Sequence, residues 1–127
     1  AFNKSATVAT CATYVNLTSG DELALTTASS AQPGVSVSID ASHDGFSFYK
    51  TGVYKDAPCL KGVDDLDHAV LVTGYGYDNA TQMDYYWVKN SWSDTWGQKG
   101  YIQMFRDTQG NTNNCGIATV AVYPVAA

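Results

Sequence analysis

Two apolar runs separated by a short polar segment constrain the fold of this chain more than any other stretch. The first run begins at His68 and continues to Gly74, and the second covers residues 84–89 and ends just before Asn90. The segment at 78–82 between them predicts the tip of a β-hairpin. Because antiparallel pairing sets the start of one strand beside the end of the next, His68 and Asn90 are predicted to be neighbours at one end of a sheet.

A histidine beside an asparagine provides two members of a Cys-His-Asn catalytic arrangement. A general base needs one imidazole nitrogen free while the other is held, and a neutral amide oxygen holds the second N–H without removing its proton. Trp92, two residues after Asn90, is expected to shield this hydrogen bond from water. His43 lies in a polar turn with no evident partner. From these residues alone, a structural His68 with Trp92 and Trp96 as core aromatics is the alternative interpretation.

Composition limits the classes of partner. The chain has 127 residues, 45% of them hydrophobic, which fits one globular domain. It carries 7 basic and 12 acidic residues without long like-charge runs, so neither nucleic acid nor a membrane is an expected partner. A start at Ala1 without a signal-peptide core suggests a processed fragment. Acceptor patterns for N-glycosylation, relevant in a secretory compartment, begin at Asn3, Asn16 and Asn79.

The chain contains three cysteines, Cys11, Cys59 and Cys115. In an oxidising compartment they allow one internal bridge and leave one residue for a bond to a second chain or as a free thiol. In a cytosolic protein all three would be reduced. Cys11 has no cationic neighbour and no convincing helix N-terminus to lower its pKa, so it is a poor nucleophile candidate.

The remaining pattern predicts an α+β, β-dominated single domain, with residues 1–18 as an arm and 19–127 as the β-rich body. A helix is expected to start with Ser19 or Asp21 as its cap and to end at Pro33-Gly34, and a short helix or turn is expected at 42–49. The nearly wholly apolar strand 68–73 is predicted to be buried on both faces, with a bend or bulge at Gly74-Tyr75-Gly76. Further extended segments are predicted at residues 12–17, 35–40, 52–54, 100–105 and 115–122.

Several uncommon motifs occur in a fixed order along the chain. They are Leu66-Asp67-His68-Ala69-Val70-Leu71-Val72, Gly74-Tyr75-Gly76, Trp87-Val88-Lys89-Asn90-Ser91-Trp92, Trp96-Gly97, Gly100-Tyr101-Ile102 and Cys115-Gly116-Ile117-Ala118. Over roughly residues 35–124 this order closely resembles the papain family of cysteine proteases, in particular its cathepsin L-like branch. The resemblance implies the C-terminal, antiparallel β-barrel-like lobe of a two-lobed fold, with short helices.

The resemblance also implies roles for individual residues. His68 is then the catalytic base and acid, Asn90 its orienter and Trp92 the shield, and a disulfide joins Cys59 to Cys115. The substrate pocket nearest this lobe would be formed by Ser38, Leu66, Asp67, Ala69 and Val120, with Trp96 as a further substrate contact. Some relatives place an acid that accepts arginine at the position of Val120, so an apolar residue there favours aliphatic or aromatic side chains.

The family's nucleophilic cysteine lies in a Cys-Gly-Ser-Cys-Trp-like run, with an oxyanion-hole glutamine a few residues earlier. Neither motif occurs in this sequence. We therefore expect a heavy-chain-like fragment, inactive alone, whose light-chain-like partner carries the nucleophile. The expected partners are peptide or protein substrates and an inhibitor or propeptide, in a lysosomal or secreted setting, with no metal or organic cofactor.

The sequence departs from the family in two places. Ser93 stands where a glycine usually follows Asn-Ser-Trp, and the loop between Cys59 and His68 is slightly longer than in close relatives. A glycine admits backbone conformations that serine resists, so the loop after Trp92 is the more affected of the two. The alternatives are a catalytically inactive or silicatein-like member with a structural role, in which serine replaces the nucleophile, and an unrelated β-rich binding domain.

Overall fold

The computed structural model describes residues 3–127. Its helices are α1 (Glu22–Ala31) and α2 (Asp44–Ser47). Its strands are β1 (Cys11–Asn16), β2 (Val35–Ile39), β3 (Val53–Tyr54), β4 (His68–Asp78), β5 (Met83–Lys89), β6 (Tyr101–Phe105) and β7 (Ala121–Ala126). Short 3-10 turns occur at Lys4–Ala6, Val63–Asp65 and Asn114–Gly116. No helix in the described part is long and apolar enough to cross a membrane.

The strands form one seven-stranded sheet in the order β1-β7-β2-β4-β5-β6-β3. The predicted β-dominated α+β class is therefore confirmed. All neighbouring strands are antiparallel except β3 and β6, which pair in parallel through Val53 and Tyr54. The predicted arm contributes β1, an edge strand that pairs with β7 and leaves most of its residues exposed. Residues 1 and 2 of that arm lie outside the described part.

Helix α1 packs against the sheet and begins and ends where the sequence indicated. The Asp21 side chain accepts a hydrogen bond from the Ala24 N–H at 2.9 Å, which satisfies a free donor of the first turn. Leu25 is fully buried beneath it. The core shared by this helix and the inner face of the sheet consists of Leu25, Val35, Val37, Ile39, Phe46, Val72, Tyr86, Val88, Ile102, Met104 and Ile117.

The prediction that the first hairpin strand is buried on both faces is wrong. In β4, Val70 and Val72 point into the core, whereas Ala69 is exposed and Leu71 keeps 37% of its surface accessible. Successive residues of a strand point to opposite faces, and no layer of residues 3–127 covers the outer face here. The expected irregularity is present as a register shift between Val72 and Gly74.

The predicted last strand at 115–122 is also wrong in its bounds. Asn113 and Cys115 have φ values of 53° and 52°, a left-handed conformation that extended strands do not adopt. The segment is a buried turn, and β7 begins only at Ala121. It then runs past Pro124, which pairs with β1 through Tyr14 but has no partner in β2, so the missing N–H is tolerated.

The disulfide between Cys59 and Cys115 is present, with an S–S distance of 2.12 Å. It ties the loop that precedes β4 to the buried turn that precedes β7. Cys11 is exposed and unpaired within the described residues.

Candidate active site

The hairpin of β4 and β5 brings His68 and Asn90 together. His68 is the first residue of β4, and Asn90 directly follows β5. Their side chains are joined by a hydrogen bond of 2.8 Å between His68 Nε2 and Asn90 Oδ1. An amide oxygen only accepts, so Nε2 carries the shared proton and donates it. The other ring nitrogen, Nδ1, has no hydrogen-bond partner among residues 3–127 and is free to take up or release a proton.

Asn90 is held in place by hydrogen bonds of both its backbone and its side chain. Its N–H donates to the Gly100 carbonyl at 2.9 Å, and its Oδ1 also accepts the Ser91 N–H at 2.7 Å. Only 8% of its surface is exposed. Its Nδ2 is buried and has no partner in the described part of the chain. The amide is therefore fixed toward His68 on its oxygen side and unsatisfied on its nitrogen side.

Aromatic rings cover the histidine. Trp92 stacks on the imidazole with ring centroids 4.9 Å apart and an angle of 30° between the planes. Phe46 meets the same imidazole edge-on at 6.0 Å. Because Trp92 is 40% exposed, it lies between the hydrogen bond and solvent. Excluding water in this way strengthens a polar contact.

Trp96, which stays a predicted substrate contact, lies largely within an aromatic cluster. It is 9% exposed, and its ring packs against Phe46 at 5.1 Å and Trp92 at 5.5 Å. Its Nε1–H donates to the Ser47 carbonyl at 3.0 Å. Trp96 therefore supports Trp92 from the core side, which is a packing role that its spacing in the sequence does not distinguish from surface contact.

The residues expected to line the substrate pocket lie beside His68. Ser38 is paired with Ala69 in the β2–β4 ladder, and its N–H donates to the Val120 carbonyl at 3.1 Å. Leu66 and Asp67 directly precede His68, and the Asp67 carboxylate accepts the Ala41 N–H at 2.8 Å. All five residues keep part of their surface accessible. Ser38 and Ala69 lie in β2 and β4, Leu66 and Asp67 lie in the loop before β4, and Val120 lies directly before β7.

The loop after Trp92 accommodates serine in place of glycine. Ser93 has a φ of 75°, in the region that glycine adopts most readily. This conformation costs an ordinary residue about 1–2 kcal/mol. The Ser93 Oγ accepts the Thr95 N–H at 3.2 Å, which offsets part of that cost.

His43, for which the sequence shows no evident partner, lies near two carboxylates in the fold, although its Nδ1 makes no hydrogen bond within the described residues. His43 Nδ1 lies 3.4 Å from a carboxylate oxygen of Asp56 and 3.9 Å from one of Asp40. Burial alone would raise the pKa of Asp40, but hydrogen bonds from Ser42 and the Leu60 N–H outweigh it and hold that pKa below 3.8. The spacing of Asp40 and His43 was the available signal. No three metal-binding side chains converge among residues 3–127.

Comparison with known proteins decides the family. The model of the papain family cysteine protease matches residues 1–125. The chain belongs to the papain family. Digestive cysteine proteinase 1 of Homarus americanus is 48% identical over 97% of this chain and 36% of its own length. Cathepsin L of Sarcophaga peregrina is 47% identical over 97% of this chain and 34% of its own length. This papain-family chain thus spans about a third of the length of these relatives.

Solved structures of papain-family proteins have the same fold. Digestive procathepsin L 3 from the larval midgut of Tenebrio molitor is 45% identical, with a TM-score of 0.86, over 98% of this chain and 38% of its own. Bromelain from Ananas comosus, in complex with the E64 inhibitor, is 37% identical, with a TM-score of 0.81, over 93% of this chain and 52% of its own. These matches confirm the predicted resemblance and lobe.

Proposed function

We propose that this chain supplies the histidine and asparagine of a papain-like cysteine endopeptidase. The observation that carries the proposal is the 2.8 Å bond from His68 Nε2 to Asn90, which leaves Nδ1 free beneath Trp92. A thiolate attacks the substrate carbonyl carbon, and His68 Nδ1 gives its proton to the leaving amine as the C–N bond breaks. His68 then takes a proton from water, whose oxygen attacks the acyl-enzyme, and the thiolate leaves with release of the acid product.

The thiolate comes from an N-terminal lobe carried by a light-chain-like partner. The outer face of β2 and β4 supports a covering partner, because Ser36, Ala69 and Leu71 are exposed there around a hollow of about 440 Å³. Asn90 also lines this hollow, and its buried Nδ2 lacks an acceptor within the described residues. A second lobe seated on this face would bury Leu71 and bring its cysteine toward His68 Nδ1.

The preferred substrates carry an aliphatic or aromatic side chain at the second position on the N-terminal side of the cleaved bond. That side chain would rest on Ser38, Leu66, Asp67, Ala69 and Val120. Val120 provides an exposed apolar surface. An arginine would therefore find no acid at position 120.

The cellular setting that we propose is the lysosome or the extracellular space. The Cys59–Cys115 disulfide is typical of oxidising compartments. Asn3, Asn16 and Asn79 are exposed, as acceptors for N-linked glycans must be. A propeptide or small inhibitor is a further expected partner, since the similar structures include procathepsins and an inhibitor complex.

The test labels the purified protease, including its N-terminal lobe, with an epoxide or vinyl-sulfone thiol trap and locates the adduct by mass spectrometry. We expect one adduct on a cysteine of the partner lobe, absent in His68→Ala and retained in the matched control His43→Ala. Labelling restricted to Cys11, or no labelling, would refute the proposal. A serine in the partner's sequence at the position of the nucleophile would instead favour the inactive, silicatein-like alternative.

A further inference from the structure

Residues 113–119, between β6 and β7, form a buried turn behind the proposed substrate pocket. All seven residues are buried, although the segment has no regular strand or helix beyond a 3-10 turn. Backbone polar groups buried in this way need specific hydrogen-bond partners. Most of those partners are other backbone groups, and the side chains of Asn113 and Thr119 add three further hydrogen bonds that hold the turn.

Asn113 organises the first half of the turn. Its φ of 53° is left-handed, a conformation that asparagine tolerates better than most residues. Its backbone N–H donates to Glu22 Oε2 at 2.8 Å, and its carbonyl accepts the Gly116 N–H at 3.0 Å. Its Oδ1 accepts the Ala118 N–H at 2.7 Å, and its Nδ2 donates to Thr119 Oγ1 at 2.8 Å. The Asn113 side chain thus joins the first residue of the turn to Ala118 and Thr119 at its end.

Thr119 connects the turn to the loop that precedes Leu66, which the Cys59–Cys115 disulfide also ties to this turn. Its Oγ1 accepts from Asn113 and donates to the Lys61 carbonyl at 2.7 Å, so one hydroxyl joins the two segments. Gly116 touches the same loop, where a Cβ would lie 2.5 Å from Leu66 Cδ2 and 3.1 Å from Lys61 Cα. The two segments are therefore packed with no room for even a methyl group between them.

Each of these segments leads into one residue of the proposed pocket wall. Leu66 follows the Lys61 loop, and Val120 directly follows Thr119. The Val120 side chain is 41% exposed, so its own packing does little to fix it. Its position depends on its backbone, which is held by Thr119 and by the bond from Ser38. We propose that Asn113 and Thr119 form a clamp that sets the distance between Leu66 and Val120, and so the selectivity of the substrate pocket.

The clamp acts on selectivity separately from the chemistry. His68 and Asn90 are held by the β4–β5 hairpin and by the Gly100 carbonyl, and neither contacts Asn113 or Thr119. Loss of the clamp should therefore change how well the pocket distinguishes side chains, with little effect on turnover of a substrate that leaves the pocket empty. This inference rests on the proposed protease function.

The test compares Thr119→Val with Thr119→Ser in the full protease, including its N-terminal lobe. Valine removes both hydrogen bonds at nearly constant volume, and serine retains the hydroxyl. The readout is kcat/KM per labelled active site for peptide substrates that differ only in Leu, Phe or Val at the pocket position. We expect the Phe to Leu ratio to change about tenfold in Thr119→Val, since pocket contacts of this size discriminate by that order. Thr119→Ser should restore the ratio.

Two further variants keep the result interpretable. Thr112→Val makes the same substitution in the neighbouring exposed loop and should leave the ratio within about twofold, as expected for a surface change. Asn113→Gly removes the clamping side chain without straining φ, and should change the ratio as Thr119→Val does, even if the latter folds poorly. An unchanged ratio in an active variant, or equal losses for every substrate, would overturn the clamp alone. A wild-type protein that cleaves none of the substrates would refute the protease function itself.

Discussion

Replacing Asn90 with alanine tests the proposed orientation of His68 for catalysis. The change removes the 2.8 Å hydrogen bond to His68 but leaves Trp92 stacked on the ring at 4.9 Å. Losing the partner of a buried polar group costs about 1–3 kcal/mol. If the transition state loses all of that stabilisation, kcat/KM falls about 5-fold to 150-fold, because each 1.4 kcal/mol corresponds to a factor of ten. The loss should be smaller than that of His68→Ala, because the imidazole remains present.

The assay is hydrolysis of a fluorogenic peptide by the complete protease, with rates normalised to active sites titrated by a thiol trap. Ser91→Ala is the matched control, since Ser91 contacts Asn90 through its backbone N–H and not its side chain. We expect the control to retain activity within about twofold, as surface substitutions usually do. An orienting role for Asn90 would be refuted if kcat/KM of Asn90→Ala fell less than twofold, or fell as far as that of His68→Ala.

Three other variants test the disulfide, the pocket and a buried acid. Replacing both Cys59 and Cys115 with alanine should lower the free energy of unfolding by about 4 kcal/mol in urea titrations, because the bridge spans 56 residues; a loss below about 1 kcal/mol would contradict this. Val120→Glu should raise kcat/KM for arginine over leucine at the pocket position about tenfold, measured with paired peptides, and an unchanged preference would contradict the assigned wall. Asp40 has a lowered pKa when folded, so the stability it contributes is complete above about pH 4 and is lost as the pH falls through the folded pKa. Urea midpoints should therefore fall less between pH 5 and pH 3 in Asp40→Asn than in the wild type, and parallel curves would refute this.

The sequence predicts the contact between His68 and Asn90 because that contact depends on local topology. His68 and Asn90 flank one hairpin, so a short polar turn and antiparallel strand pairing suffice to bring them together. The same holds for α1, whose cap at Asp21 is a local signal. In both cases the decisive contacts lie close together in sequence.

Features that depend on distant segments were not predictable in the same way. The apolar run of β4 indicates burial of both faces, yet whether Leu71 is covered depends on what packs there, which its own residues do not specify. The apolar content of 115–122 resembles a strand, but Asn113 and Cys115 turn the chain through left-handed conformations. The carboxylates near His43 include that of Asp56, which reaches it only through the folded loop.

The amide beside His68 provides a hydrogen-bond acceptor that does not change its protonation state with pH. A carboxylate at position 90 would take up protons in an acidic organelle and would then hold the imidazole differently at each pH. The amide of Asn90 does not titrate, so the bond to Nε2 has the same donor and acceptor throughout. An enzyme built on this lobe could pass from a neutral compartment to an acidic one with its histidine held in one orientation.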